Sequence, residues 1–347
     1  MLNPAREIGA RVGGRLAGMA GSFVMCARAV KSGRFISEPG PTRFLIVPPG
    51  EAPSPRHAAA DAASWFRRVR TAATWGKDAR RGGADRGDAL IFVHGYNNSQ
   101  QVVMQRHLRL AADLSEAGFL GVVVSFDWPS DDATLNYLED RHDAKRTAMQ
   151  LVDDGIRALA VRQTPDCTVN IHVMGHSTGA YVIREAFDDA DDASLASSGW
   201  MVSQVVFIGA DISSASLCEG RDATDSLYRH CSRLTNYSSR RDSVLKISNA
   251  KRMGVAPRVG RNGLPGSAPG KAVNVDCTEY FAHLESDAAI RQADQREEIG
   301  AFVHSWHIGN DIFTRDLFET LKGDLNHEEI ATRRREADGS LVLMRGS

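Results

Sequence analysis

The chain contains short runs in which nearly every residue is apolar, and these runs alternate with stretches of helical periodicity. A run that is apolar throughout predicts a strand buried on both faces, as in a parallel sheet covered by helices. Predicted strands lie at residues 42–47, 89–93, 120–126, 169–174, 201–208, 233–237 and 272–275. Helical spacing of apolar residues marks residues 57–75, 101–117, 137–161, 178–188 and 309–321. The alternation predicts an α/β fold with a mostly parallel central sheet, helices on both faces and right-handed crossovers.

The two ends of the chain lack this alternation. Residues 1–41 are predicted to form a leader, in which three arginines precede a short apolar run at residues 16–27. That order resembles a signal peptide, although the glycines and serines within the run favour a loosely helical or disordered leader. The main domain is expected over residues 42–325, and a charged tail follows over residues 326–347. Exposed loops are predicted at residues 80–88 and 254–271.

The composition excludes several classes of protein. Lys and Arg total 42 against 43 Asp and Glu, so the formal net charge of -1 lacks the basic excess of a nucleic-acid binder. The five cysteines form no Cys-x-x-Cys pair, so neither a zinc ribbon nor a thiol redox site is expected. No apolar stretch reaches the roughly 20 residues of a membrane span. These features favour a reduced, cytoplasmic protein, whereas a signal peptide within residues 1–27 would make it periplasmic or secreted.

The strongest chemical motif is Gly-His-Ser-Thr-Gly at residues 175–179, directly between a predicted strand and a predicted helix. A serine on such a sharp turn is the nucleophile elbow of serine hydrolases, and the flanking glycines let the backbone turn tightly. The hydroxyl of Ser177 would lie at the amino terminus of a helix, where free amides favour negative charge. The alternative is an ordinary strand-to-helix turn with a capping serine.

A second motif, His-Gly-Tyr-Asn-Asn, follows the predicted strand at residues 89–93. Acyl transfer requires backbone amides that are directed at the oxyanion, and we expect these amides from Tyr96 and Thr178. Gly95 would permit a close approach of the backbone, and His94 and Gly95 would line the pocket. The alternative is a polar turn that caps the helix beginning near Ser99.

A serine nucleophile requires a base that is oriented by an acid, in the chain order serine, acid, histidine. Asp242 and Asp211 each follow a predicted strand; Asp242 is the first choice and Asp211 the alternative acid. His304 is the first choice for the base, and His307 is the alternative. His176, next to the serine, is expected to line the pocket or to pack rather than to act as the base.

Taken together, these motifs resemble the α/β-hydrolase superfamily, and more narrowly a bacterial α/β-hydrolase family of uncharacterised function. The resemblance covers residues 42–322. It rests on Phe-Val-His-Gly-Tyr-Asn-Asn-Ser at residues 92–99, Phe-Asp-Trp-Pro-Ser at residues 126–130 and the elbow at residues 175–179. Looser matches surround the acid, at residues 237–245, and the histidine, at residues 304–317.

The resemblance implies that Ser177 is the nucleophile, Asp242 the acid and His304 the base, with the amides of Tyr96 and Thr178 in the oxyanion hole. It also implies that Trp128 lies near the pocket. The sequence departs from the family pattern in two places. The segment before Asp242 is rich in arginine, and His307 stands where an apolar or aromatic residue is common.

These residues predict a serine hydrolase, in particular a carboxylesterase, that cleaves a small-molecule or lipid-like ester through an acyl-enzyme, with no metal or organic cofactor. An amidase, a thioesterase or an acyltransferase would use the same triad, because the shape of the pocket decides the substrate. In another class, the fold would serve as a catalytically silent binding or scaffold protein. The absence of a long apolar insertion resembling a lipase lid favours a water-soluble ester.

Overall fold

The structure is a computed structural model that describes residues 21–79, 82–130, 145, 147–160, 167–192, 200–250 and 256–346. Residues 1–20 of the predicted leader and part of the helix predicted at residues 137–161 lie outside the described residues. The described end of that helix comprises a π-helical turn, Leu151–Ile156, that continues into a short α-helix.

One mixed sheet organises the described part of the chain. Its eleven strands are β1 (Ser22–Lys31), β2 (Arg34–Val47), β3 (Thr74–Asp78), β4 (Ala84–Val93), β5 (Val122–Asp127), β6 (Cys167–His176), β7 (Val202–Ile208), β8 (Cys231–Ser238), β9 (Ala272–Asp276), β10 (Arg333–Arg335) and β11 (Leu341–Leu343). Their order across the sheet is β10-β11-β9-β8-β7-β6-β4-β5-β1-β2, and β3 also pairs with β4. Neighbours from β11 to β1 are parallel, whereas β1/β2, β3/β4 and β10/β11 are antiparallel hairpins. The predicted mostly parallel sheet is confirmed.

The described helices are α1 (Ala62–Ala73), α2 (Gln100–Ala117), α3 (Arg157–Ala160), α4 (Thr178–Asp192), α5 (Asp222–Arg229), α6 (Ser243–Ala250), α7 (Val259–Asn262), α8 (Thr278–Ser286), α9 (Ala288–Asp294), α10 (Phe302–Ser305) and α11 (Asp311–Lys322). Several begin at capping side chains. The side chain of Ser99 accepts a hydrogen bond from the Val102 amide and so caps α2, as the alternative interpretation of that turn required. Asn310 caps α11 in the same way.

The sheet separates two hydrophobic clusters, which explains why its central strands are apolar at every position. Along β4, Ile91 packs into one cluster, whereas Leu90 and Phe92 pack into the other. The first cluster contains Trp65 of α1, and the second contains Phe313 of α11. Because successive strand residues point to opposite faces, a strand buried by helices on both sides must be apolar throughout.

The sheet begins earlier in the chain than the sequence analysis placed it. Residues 22–41, assigned to a leader, form β1 and the first half of β2. β1 is buried from Phe23 to Ala27 and pairs in parallel with β5, where Met25 lies opposite Phe126. This run is only five residues long and is followed by an arginine, so its pattern does not distinguish a core strand from the apolar part of a leader.

The loop predicted at residues 80–88 is in part a strand. β4 begins at Ala84, and its polar first half forms a hairpin with β3. Lys77 and Asp85 face each other across this hairpin as an ion pair. Its charged residues are not fully buried, since Asp85 is half-buried and Arg86 is exposed, and they hide the strand from an apolar pattern.

Two further segments are more ordered than predicted. The loop at residues 254–271 contains α7, and its Arg258 and Val259 are buried. The charged tail adds β10 and β11 to the edge of the sheet. Arg333 of β10 is fully buried and forms an ion pair with Asp316 of α11 at 2.6 Å, which attaches the tail to the domain.

Candidate active site

Ser177 occupies a strained turn between β6 and α4. Its φ is 55°, in the left-handed region that residues other than glycine seldom adopt. The backbone is held there on both sides: the amide of Ser177 donates to the carbonyl of Ile208 at 3.0 Å, and its carbonyl accepts from Asp211 at 3.1 Å. Strain of this kind, retained by surrounding contacts, is typical of a functional position.

The backbone of the elbow passes very close to β4, and glycine is what permits this approach. A Cβ atom at Gly179 would lie 2.2 Å from the carbonyl oxygen of Val93, which no side chain tolerates. On the other side, a Cβ atom at Gly95 would lie 2.8 Å from the Cβ of Ser177. The loop after β4 is therefore packed directly against the serine, as the two motifs predict.

The acid and the base chosen first from the sequence are in contact. Asp242 follows β8, His304 belongs to α10, and the Asp242 carboxylate accepts the Nδ1–H of His304 at 2.6 Å. The other carboxylate oxygen accepts the amide of Leu245 at 3.0 Å, which fixes the acid at the start of α6. With its proton on Nδ1, His304 presents Nε2 as an acceptor, and this buried atom has no hydrogen-bond partner among the described residues.

The His304 imidazole lies beside the elbow. The carbonyl of Ile208 holds the amide of Ser177, and the next residue, Gly209, is so close to His304 that an added Cβ would lie 3.2 Å from Nδ1. The ring of His176 is 4.7 Å from the ring of His304, measured between centroids. Ser177, Asp242 and His304 therefore belong to one buried cluster.

The loop after β4 is fixed by its own side chains. The Asn98 amide donates to the carbonyl oxygens of Gly95 at 2.7 Å and Tyr96 at 2.9 Å. Asn97 adopts a φ of 55°, so the backbone makes a second left-handed turn next to the elbow. Tyr96 lies within this constrained segment, and Thr178 is the first residue of α4, so both predicted amides belong to backbone that borders Ser177.

A buried ion pair supports this loop from β1. Arg28 donates to Asp127 at 2.8 Å and to the carbonyl of Asn98 at 3.3 Å, and His94 contacts the same carboxylate at 3.2 Å. Burial opposes ionisation, but the charge of Arg28 together with the contacts from His94 and Gln100 outweighs it and holds the pKa of Asp127 well below its ordinary value. Sequence reasoning missed Arg28, because it lay in the expected leader; Asp127 was visible within the motif at residues 126–130.

Trp128 and His94 form a packed layer below the loop. The Trp128 indole donates to the carbonyl of His94 at 2.7 Å, and the two rings stack with centroids 5.5 Å apart. Both side chains are fully buried, and burial lowers the pKa of His94. Trp128 and His94 therefore pack against the loop as neutral side chains.

The alternative acid and base lie in other arrangements. Asp211 forms a buried ion pair with Arg258 at 3.1 Å. His307 stacks on Trp306 with centroids 4.1 Å apart, its two ring nitrogens have no hydrogen-bond partner in the described part of the chain, and burial holds its pKa well below the ordinary value. The structure thus pairs Asp242 with His304.

Two kinds of feature are absent from the described residues. Among them, no group of three or more His, Cys, Asp or Glu side chains could hold a metal ion. In the same residues, no helix has the length and apolar character required to cross a membrane.

Comparison with known proteins gives one match to a family. The profile described as "Alpha/beta hydrolase of unknown function (DUF900)" matches residues 79–263. The match contains the loop after β4, the elbow and Asp242, and it ends before His304. No curated protein matches the sequence.

Solved structures show only distant similarity. Esterase B from Lactobacillus rhamnosis is 12% identical, with 92% of this chain and 91% of that chain covered and a TM-score of 0.39. Dienelactone hydrolase from Anabaena variabilis is 19% identical over 59% of this chain and 81% of that chain, with a TM-score of 0.32. Phospholipase PlaB from Legionella pneumophila is 11% identical, with 74% of this chain and 69% of that chain covered, also with a TM-score of 0.32. Scores this low support no conclusion about the reaction.

Proposed function

Because the chain belongs to the alpha/beta hydrolases of unknown function classed as DUF900, as its motifs predict, we propose that it is a serine hydrolase that cleaves carboxylic esters. One observation carries the proposal. The His304 imidazole is hydrogen bonded to Asp242 at 2.6 Å, while its buried Nε2 has no hydrogen-bond partner among the described residues. The imidazole lies beside Ser177, which occupies the strained elbow. This is the arrangement that makes a serine hydroxyl nucleophilic.

In the proposed reaction, the Oγ of Ser177 attacks the ester carbonyl carbon while Nε2 of His304 takes the hydroxyl proton. The carbonyl π electrons move to the oxygen and form a tetrahedral oxyanion. This intermediate collapses as His304 passes the proton to the departing alcohol, which leaves an acyl group on Ser177. Water then repeats both steps, releases the carboxylic acid and restores the serine. Asp242 stays ionised and stabilises the imidazolium that forms twice in each cycle.

The oxyanion would be stabilised by the backbone amides of Thr178 and Tyr96. Thr178 is the first residue of α4, whose amino-terminal amides and dipole favour negative charge. Tyr96 is in the loop that Asn98 braces against the elbow. One donor of this kind accounts for about 10²–10³ in kcat in serine hydrolases.

The first test is covalent labelling with a fluorophosphonate, followed by peptide mass spectrometry. We expect one adduct, on Ser177, and we expect Ser177→Ala to lose both the label and the hydrolysis of short p-nitrophenyl esters, by about 10⁴-fold or more. Ser232→Ala is the matched control, because Ser232 is exposed on β8, and it should retain both activities. Retained turnover in Ser177→Ala contradicts the mechanism.

A second test defines the bond that is cleaved. An acyl-chain series of esters, with the matching thioesters and anilides, is assayed on the purified protein. We expect the largest kcat/KM for short, water-soluble esters. A preference for an amide or thioester would keep the triad but replace the esterase assignment, whereas no adduct and no turnover would favour a silent binding protein.

A further inference from the structure

Arg106 of α2 is a buried cation that lies close to the candidate active site. Its side chain is 4% exposed, and within the described residues no carboxylate lies within ion-pair distance of its guanidinium. Burial lowers the pKa of Arg106 to about 10, which still leaves it charged at neutral pH. A buried charge without a counter-charge costs free energy.

The guanidinium joins the elbow to the segment that carries His304. One terminal nitrogen donates to Nδ1 of His176 at 3.3 Å. The other donates to the carbonyl of Ile299 at 3.1 Å and to the hydroxyl of Ser305 at 3.0 Å. The guanidinium lies close to the backbone at Gly300, where an added Cβ would be 2.6 Å from this nitrogen and would displace it.

These contacts determine the protonation state of His176. A guanidinium can only donate, so Nδ1 of His176 must accept, and the neutral ring then carries its proton on Nε2. That nitrogen lies 3.1 Å from the backbone carbonyl of His304 and donates to it. A continuous chain of hydrogen bonds thus runs from Arg106 through His176 to the backbone of the base.

The surroundings of His176 oppose its protonation. Burial first, then the charges of Arg106 and of His304 when it is protonated, hold the pKa of His176 well below its ordinary value, and His307 adds a smaller effect in the same direction. Asp242, the carboxylate of this cluster, is bonded to His304 and not to His176. A protonated His176 would turn an N–H toward the guanidinium and lose the bond that holds it.

We propose that Arg106 is a positioning residue, which fixes the His304 imidazole relative to Ser177 through neutral His176 and through the segment at residues 299–305. The inference rests on the proposed hydrolase function, because it assigns Arg106 a task in that reaction. His304 is 127 positions from Ser177 in the sequence, so only contacts of this kind can set the distance between the two side chains. A displacement of about 1 Å costs on the order of 100-fold in rate.

Kinetics of matched variants test the proposal. Arg106→Met removes the charge and the donors at similar volume, and His176→Phe removes the acceptor and donor of the intermediate ring. We expect both to lower kcat per fluorophosphonate-titrated site by about 10–100-fold, with KM changed less than about threefold. His176→Gln has an amide that can both accept and donate, and it should recover most of kcat. Arg109→Met, one turn along α2, removes an arginine that pairs with Asp113 and should leave kcat unchanged.

A second measurement does not require turnover. Imidazole 15N NMR should show His176 as the neutral Nε2–H tautomer in the wild-type protein between about pH 5 and 8. In Arg106→Met, the ring should titrate at higher pH, since the neighbouring positive charge is gone. If that variant does not fold, Arg106→Lys replaces it: Lys lacks the planar fork, so we expect a loss of kcat with the charge retained.

The outcomes separate the two proposals. Unchanged kcat per labelled site in Arg106→Met, or in Arg106→Lys in its place, overturns the positioning role, as does a His176→Gln variant that is as impaired as His176→Phe. A wild-type His176 protonated on Nδ1 also overturns it. An inert, unlabelled wild-type protein instead overturns the hydrolase function, while the NMR measurement still decides whether Arg106 and His176 are linked.

Discussion

At the scale of single residues, the candidate base combines one ring nitrogen that is hydrogen bonded with one that lacks a partner. Nearly every buried polar atom in a folded protein is hydrogen bonded, so an unpaired atom requires an explanation. Nδ1 of His304 is bonded to Asp242, whereas Nε2 has no partner within the described chain. An acceptor left open beside Ser177 is what a general base requires before substrate arrives.

The distinction between His304 and His307 provides a residue-scale prediction. His304→Ala should lower kcat/KM by about 10³-fold or more, because it removes the proton acceptor. His307→Ala should reduce stability by about 1–3 kcal/mol, since it leaves a cavity against Trp306, and should keep its activity per labelled site. Ester kinetics and urea unfolding of both variants check this, and an inactive but fully folded His307→Ala would reverse the assignment.

At the scale of elements, the loop after β4 depends on a strand that comes much earlier in the chain. Arg28 of β1 contacts Asp127 at the end of β5 and the carbonyl of Asn98 in the loop. β1 therefore contributes to the site by holding the loop after β4. The same pair also joins two adjacent parallel strands, so it couples the position of the loop to the pairing of the sheet.

The Arg28–Asp127 pair predicts how stability depends on pH. The pKa of Asp127 is lower in the folded state than in the unfolded state. Ionised Asp127 therefore contributes stability that is complete above the unfolded-state pKa of about 4, and this stability is lost as the pH falls toward the folded-state pKa. Asp127→Asn should be less stable by about 3–5 kcal/mol at pH 7, and its unfolding free energy should fall less steeply below about pH 4. Urea titrations from pH 7 to 3 measure both effects.

A double variant serves as the control for that prediction. Arg28→Met combined with Asp127→Asn leaves neither charge unpaired, so it should be more stable than Arg28→Met alone. If both single variants unfold at the wild-type urea concentration, the pair does not hold β1 to β5.

At the scale of the whole molecule, the first and the last hairpin of the described residues form opposite edges of one sheet. β2, from the predicted leader, is at one edge, and β10, from the predicted tail, is at the other. The tail is attached by Arg333, which is fully buried against Asp316 and also donates to the hydroxyls of Tyr237 and Thr320. α11 and β8 are thereby joined through a single guanidinium.

This attachment makes the tail part of the stability of the domain. Arg333→Met should lower the free energy of unfolding by about 3–5 kcal/mol, because it leaves the buried Asp316 carboxylate uncompensated. Arg335→Met, two residues later on an exposed ion pair with Glu328, should change it by less than about 1 kcal/mol. Thermal and urea unfolding of the two variants compare these values, and equal stabilities would show that the Arg333–Asp316 pair does not stabilise the domain.

Local patterns in the sequence were sufficient for the centre of the sheet and for the elbow. Apolar runs such as residues 89–93 predict buried strands because side-chain alternation forces both faces into the core. The elbow is equally local, since the steric limits on a tight turn act over five residues. The sequence pattern did not predict β3 and β10, which are short and polar strands of two hairpins. Their pairing is decided by the neighbouring strands.

The sequence by itself determined the α/β class, the order of the central strands along the chain, and the candidates for nucleophile, acid and base. Only the tertiary structure decided that Asp242 rather than Asp211 contacts His304, that β1 belongs to the sheet, and that Arg106 joins the elbow to the histidine segment. The physical reason is range. Periodicity and turn geometry act between neighbours in the chain, whereas Arg106 and Ser305 are 199 positions apart, and contacts at that separation exist only once the core has brought the elements together.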